Sequence, residues 1–305
     1  CIRDRSSAIN TPASSTVTRL RQREIPLAML TSRPFELVRD TRCYYPAEEH
    51  RQAYAAMDHL FQDRNLGMGQ LTGDAGTGKT LIRTLLFNSL DPQRYVRVSI
   101  ENSLLDFDGL LLEIISQIRR VRVTSQELAD RYSRLSTFKQ LLRTHIESSG
   151  KHLAIFIDEA QDMDATTLKY VTALTNISME HQNLLTIALF ASADVGAISS
   201  HIPGIDQRIA IKHRLACLSR QAQDDYVAHR LKLAGWDQSL PFNTEVLDYL
   251  YEAAKGNPRV LNVIFKHAIK FAQDNAQGLD NASLDHAINL YTHNASRHET
   301  AGMLL

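Results

Sequence analysis

The chain has 305 residues, 44% of them hydrophobic, with 34 Lys and Arg against 34 Asp and Glu. That length accommodates one large domain or two ordinary ones, and that apolar content excludes wholesale disorder. Zero formal charge excludes an overall basic field, so any grip on nucleic acid rests on local patches.

Residues 1 to about 24 are rich in Ser, Thr and Arg without apolar periodicity, which predicts a flexible or partner-dependent arm. From 1 to 45 eight arginines face four acids, a solvated segment or a phosphate-contacting one. The start at Cys1 and Arg3-Asp4-Arg5-Ser6-Ser7 is no signal peptide and reads as a trimmed beginning. Cys1, Cys43 and Cys217 lack metal-ligand spacing and read as reduced thiols of a cytoplasmic protein. No apolar run approaches the roughly 20 residues a membrane helix needs.

Ala47 to Gln62 predicts an amphipathic helix through Ala53, Ala56, Met57, Leu60 and Phe61. A strand over Gly67 to Thr72 runs into Gly73-Asp74-Ala75-Gly76-Thr77-Gly78-Lys79-Thr80, the full Walker A pattern G-x-x-x-x-G-K-[ST]. Its glycines let backbone N–H groups approach a row of phosphates, Lys79 brings a point charge to the outer ones, and Thr80 offers a hydroxyl to Mg²⁺. The candidate nucleotide contacts are therefore these eight residues and the following Leu81, on a helix over Leu81 to Leu90 whose positive end faces the same anion.

Tyr95 to Ile100 is β-branched and alternating, a second strand. Leu104 to Ile118 predicts an apolar helix. The Arg119, Arg120, Arg122 cluster follows it, and Glu127 to Ser148 predicts an amphipathic helix burying Leu128, Tyr132, Leu135, Phe138, Leu142 and Ile146. Leu153 to Ile157 is a short continuous apolar run, the mark of a buried parallel strand.

It ends at Asp158-Glu159, where open α/β sheets place their ligands. In an ATPase, Asp158 holds Mg²⁺ through water and Glu159 polarises the attacking water; otherwise the two acids merely begin a helix. A helix over Ala165 to Asn176, a strand over Leu184 to Phe190 and a fifth over Ile209 to Leu215 complete an α/β pattern. After Arg220 only helices are predicted, over Gln221–Ala234, Thr244–Lys255, Val260–Ala276 and Ser283–Tyr291. The expected organisation is an entry arm (1–45), a nucleotide-binding α/β domain (46–220), a helical lid (221–292) and a polar tail (293–305).

Asp158-Glu159-Ala160-Gln161, followed by a helix ending in Leu174-Thr175-Asn176, resembles the AAA+ ATPases of the ExeA-like secretion family and the related TniB/TnsC/MuB-type transposition regulators. Pro34-Phe35 and Tyr45-Pro46 fall where that group enters its nucleotide domain, and the resemblance spans about residues 33 to 290. It implies an AAA+ P-loop fold with a parallel sheet core and a C-terminal helical lid, ATP and Mg²⁺ as cofactors, and a homo-oligomer, ring or helical filament. Arg208, within Gln207-Arg208-Ile209, becomes the candidate arginine finger reaching a neighbour's γ-phosphate, with Arg214 and Arg220 as alternatives.

Arg259, in Gly256-Asn257-Pro258-Arg259, matches the lid's γ-phosphate sensor. Ser192 stands where the group carries an amide sensor, a departure that implies slow or partner-stimulated hydrolysis. Arg119, Arg120 and Arg122, extended by Lys139 and Arg143, are either a solvated face or a stripe tracking the backbone of double-stranded DNA, as in transposition regulators.

Two outputs follow from the resemblance: a DNA-bound adaptor recruiting a transposase, or a secretion or pilus-assembly ATPase at the envelope. An ATP-binding scaffold with little hydrolysis is a third. The second family commonly continues into a membrane helix and a peptidoglycan-binding domain, and neither is in this sequence, which favours the adaptor unless the chain was cut.

Overall fold

The computed structural model describes residues 24–36, 41–101, 103–179, 182–192 and 204–302, so the arm expected up to residue 23 lies outside the described residues. Five parallel strands form the central sheet: β1 (Met68–Thr72), β2 (Tyr95–Ile100), β3 (His152–Ile157), β6 (Leu185–Ala191) and β7 (Ile211–Arg214), in the order β2-β3-β6-β1-β7. Between β3 and β6 a two-residue hairpin, β4 (Ser178–Met179) and β5 (Gln182–Asn183), carries no periodic signal and is absent from the sequence reading.

Alternation along the strands feeds two separate cores. On one face Leu153, Ile155 and Ile157 of β3 join Leu185, Ile187 and Leu189 of β6 under α3 (Phe107–Arg119), α4 (Arg131–Leu141) and α5 (Ala165–Leu174). On the other, Ala154, Phe156, Ala188 and Phe190 meet α1 (Glu48–Gln62) and α2 (Lys79–Ser89). Burial on both faces is why these strands read as unbroken apolar runs. The edge strand β2 is closed by Gln117 of α3, whose amide exchanges two hydrogen bonds with the Ser99 backbone, 2.9 and 2.8 Å.

The helix expected from Glu127 begins only at Arg131, where Asp130 caps it through Ser133 N–H at 2.9 Å. Tyr132, expected inside, falls in the exposed first turn and is 82% exposed. A π-turn over Leu142–Ile146 then advances the phase by a residue, so that Leu141, Leu142 and Ile146 are all buried.

A third apolar cluster joins the last helices, α6 (Arg220–Leu233), α7 (Thr244–Ala254), α8 (Pro258–Asp274) and α9 (Asn281–Gly302). The final helix therefore continues through residues expected as a polar tail. The entry segment packs into this same cluster. Ile25 and Leu279 exchange backbone bonds of 2.9 Å, Phe35 stacks on Phe265 at 4.3 Å, and the buried Arg230 guanidinium donates to the Pro34 and Glu36 carbonyls at 2.6 and 3.0 Å. No helix among the described residues is long and apolar enough to cross a membrane.

Candidate functional site

The loop after β1 needs glycine at three points where its backbone has positive φ: Gly73 (+156°), Gly76 (+88°) and Gly78 (+111°). A Cβ at Gly73 would lie 2.6 Å from the Leu215 carbonyl; at Gly76, 2.5 Å from the Arg259 Cβ; at Gly78, 2.8 Å from His50 Nε2. The loop is thus pressed by β7, by the lid and by α1 at once. Burial keeps His50 neutral by lowering its pKa, and its Nε2–H donates to the Thr77 carbonyl at 2.9 Å, since a carbonyl only accepts.

Lys79 opens α2 and donates from Nζ to the Gly73 and Asp74 carbonyls at 2.8 and 3.0 Å, its pKa lowered chiefly by burial. Thr80 Oγ1 donates to Asp158 Oδ2 at 3.2 Å, joining the two motifs across the top of the sheet. Asp158 is 5% exposed and follows β3 directly. The same Oδ2 lies 3.2 Å from Nε of Arg83, on α2, which also reaches the Ser99 hydroxyl and Glu101 Oε1 on the β2 side. Arg83, absent from the sequence reading, therefore braces Asp158 from beneath.

Glu159 turns the chain with φ +49° and ψ +42°, a left-handed conformation uncommon for a non-glycine residue. Its carbonyl accepts from Ser103 Oγ at 2.6 Å, and its carboxylate from Gln161 Nε2 at 3.0 Å. Ser192, one residue past β6, donates its backbone N–H to Gln161 Oε1 at 2.9 Å.

From the lid side, Asn257 caps α8 by accepting from Arg259 N and Val260 N at 3.0 and 3.4 Å, with Pro258 at the first helical position. Its Nδ2 donates to Ala75 O at 2.8 Å, a direct tie between lid and phosphate loop. The turn before it requires glycine, because a Cβ on Gly256 would sit 1.9 Å from the Leu218 carbonyl.

These parts enclose a cavity of about 570 Å³. Ala75 to Leu81, Glu159, Ser192 and Arg259 line it, while Gly73 and Asp74 stand behind Lys79 as its carbonyl acceptors. Besides Pro258 of the quoted motif, the rest of the lining was not among the candidate contacts: Glu36, Cys43, Tyr44 and Tyr45 from the entry segment, His50 from α1, and Tyr226, Arg230 and Asn262 from the last helices. Tyr45-Pro46 was the one signal available for that end. A larger cleft of about 770 Å³, between residues 27–36 and α8, touches none of the phosphate-loop residues.

Other predicted residues lie apart. Arg208 is exposed in the Asp206–Arg208 turn before β7, its guanidinium bonded to the neutral Asn176 side chain. Arg214 pairs with Asp74 at 3.1 Å, and Arg220 with Asp224 and Asp248 at 2.6 and 2.7 Å. Arg119, Arg120 and Arg122 are exposed at the end of α3, and Lys139 and Arg143 are exposed on the helix that packs beside it.

The chemistry of this cavity fits a nucleoside triphosphate: a glycine cradle with no room for a Cβ, a buried lysine held by carbonyls that phosphates can replace, and arginine opposite. Among the described residues no cluster of three or more His, Cys, Asp or Glu could hold a metal unaided. Thr80 and Asp158 fit a Mg²⁺ whose remaining ligands are water and phosphate oxygens.

Residues 62–196 match the family model of the AAA domain. Over 245 residues, 79% of the chain, the sequence is 29% identical to general secretion pathway protein A of Aeromonas hydrophila, and it spans 43% of that protein's length. Among solved structures, the Aeropyrum pernix ORC2 protein superimposes with a TM-score of 0.61 at 16% identity, over 84% of this chain and 71% of that one. The Drosophila ORC bound to DNA gives 0.60 at 17% identity, over 94% of this chain and 70% of that one. At such identities the structural likeness concerns the fold, and the fold is that of the AAA+ P-loop ATPases.

Proposed function

We propose that the chain binds ATP with Mg²⁺ between sheet and lid, hydrolyses it slowly, and uses nucleotide occupancy to switch the assembly of its copies. The observation that carries this reading is the single cavity on which Lys79, Thr80, Glu159 and Arg259 converge. Lys79 exchanges its two carbonyl acceptors for the outer phosphates, and Arg259 meets the γ-phosphate from the lid. Thr80 and Asp158 would hold a Mg²⁺ ion, which when bound would neutralise charge on the phosphate oxygens. Glu159 takes the proton of the attacking water as its oxygen bonds to the γ-phosphorus and the bridging P–O bond to ADP breaks.

Arg208 is the arginine we assign to a neighbouring copy's site. Among the described residues its partner is a neutral amide, whereas Arg214 and Arg220 pair with carboxylates, so we take Arg208 as the charge a γ-phosphate requires.

For the output, we assign the Arg119, Arg120, Arg122 face, with Lys139 and Arg143, to duplex DNA, and the assembled form to recruitment of a transposase. The DNA-bound Drosophila ORC supports the first part of that reading. The Aeromonas secretion relative supports the second output, assembly at the envelope. Electron microscopy with a non-hydrolysable ATP analogue, with and without duplex DNA, separates them. DNA-dependent rings or filaments are expected, with replacement of Arg119, Arg120 and Arg122 by alanine weakening DNA binding and flattening its salt dependence while ATP binding persists. Absence of DNA binding at low salt, with assembly on envelope partners, would overturn the DNA assignment in favour of the secretion output.

A further inference from the structure

Ser192 leaves the end of the fourth large strand, β6, without the amide side chain expected there. The fold supplies one from elsewhere. Gln161, two residues beyond Glu159 in the Ala160–Asp162 turn, places its amide between the two cavity-lining residues. The orientation of that amide follows from its partners: the Ser192 N–H can only donate, so Oε1 faces it at 2.9 Å, and Nε2 necessarily faces the Glu159 carboxylate at 3.0 Å. Asp162 Oδ1, at 3.4 Å from the same Nε2, is the weaker second acceptor.

We propose that Gln161 is a positioning residue for hydrolysis, the amide that ties Glu159 to the strand end and fixes its carboxylate for the attacking water. This inference rests on the ATP-hydrolysing reading above. Glu159 needs such a strut because its own backbone is in a left-handed turn, and the bonds from Ser103 Oγ and Asp162 N–H to its carbonyl and from its own N–H to Asp158 Oδ1 hold the main chain alone, which leaves the side chain free to swing. With Gln161 in place, one carboxylate oxygen is committed and the rotation of the other is set. The strand end and the glutamate then move as a unit. A shift of Ser192 on γ-phosphate contact is passed through a single amide to Glu159.

The test compares ground-state and transition-state binding, and so does not depend on turnover. Wild type, Gln161→Met (similar length, no hydrogen bonds) and Gln161→Glu (an acceptor retained for Ser192, a carboxylate set against Glu159) are titrated with Mg²⁺ and either a non-hydrolysable ATP analogue or ADP with aluminium fluoride. Both variants should bind the ATP analogue within about twofold of wild type and the aluminium fluoride complex about tenfold or more weakly, the glutamate variant worst, with unchanged melting temperatures. In steady state kcat should fall while KM holds. Equal loss for both ligands would make Gln161 merely structural and overturn the proposal, as would no loss at all. Wild-type protein that binds neither ligand would overturn the ATPase reading itself, and this inference with it.

Discussion

The cavity between the sheet and the last helices has two walls, and they are built differently. On the sheet side Lys79, Asp158 and Arg83 are each at most 6% exposed and joined by ion pairs and hydrogen bonds to three different elements. On the lid side contact with the phosphate loop passes through Asn257 Nδ2 and the van der Waals fit of Arg259 over Gly76. Buried charges paired in a rigid sheet are costly to separate, whereas one neutral hydrogen bond at a surface is worth about 1 kcal/mol. The first wall holds a fixed geometry and the second can let go.

The sharpest way to break that contrast is Arg83→Met. It strands Asp158 in a buried position, and a loss of about 3–5 kcal/mol in urea denaturation is expected; the exposed Glu101 contributes little of it. A loss below about 1 kcal/mol would mean the sheet wall is not locked by charge.

Acid offers a second, gentler attack on the same wall. His152 opens β3, the strand that ends at Asp158, and burial, assisted by the charge of Arg64, lowers its pKa from 6.5 to about 4. Its folded value being depressed, the unfolded chain takes up the proton first. Stability from this residue is complete above pH 6.5 and declines as pH falls towards about 4, by about 3 kcal/mol in all. Denaturation across that window should show the slope, and His152→Gln should flatten it.

The smallest effect belongs to the lid. Asn257→Asp keeps the helix cap and loses the donor to Ala75; Asn257→Ala loses both. The aspartate should weaken nucleotide binding by about fivefold with stability preserved, and the alanine should add about 1 kcal/mol of destabilisation. Trp236, the chain's single tryptophan and a member of the lid cluster, reports the second loss by fluorescence. Equal stability of the two variants would show that the cap contributes nothing.

Much of the sheet wall was legible in the sequence because its residues are local: Gly73 to Thr80 and Asp158-Glu159 are contiguous runs, and the fold brings them together at the Thr80–Asp158 bond. Tyr95 to Ile100 was read to the residue, since period-two alternation survives on a half-covered edge strand. What escaped depends on contacts distant in sequence. Nothing in the local sequence sets Arg83 apart on its helix; the fold alone brings it to 3.2 Å from Asp158. Gln161 stood inside a quoted motif, yet its partner Ser192 is 31 positions on. Tyr132 was misplaced because a cap and a π-turn, not periodicity, set the phase of its helix.

The burial of Ile25 and Phe35 among the last helices makes the sheet an insertion within the helical body. During synthesis these residues emerge well before the groups that bury them, Leu218 through Ile288, so they wait in water while the sheet is being made. Among the described residues the polypeptide passes between the two clusters at two places, between Ala47 and Ala53 and again between Leu215 and Leu218. A body tethered at two points turns like a door on two pins instead of swaying on one string. The first pin borders the cavity through Tyr44 and Tyr45, and the second stands behind the loop, where Leu215 lies against Gly73. Whatever fills that space pushes on the axle.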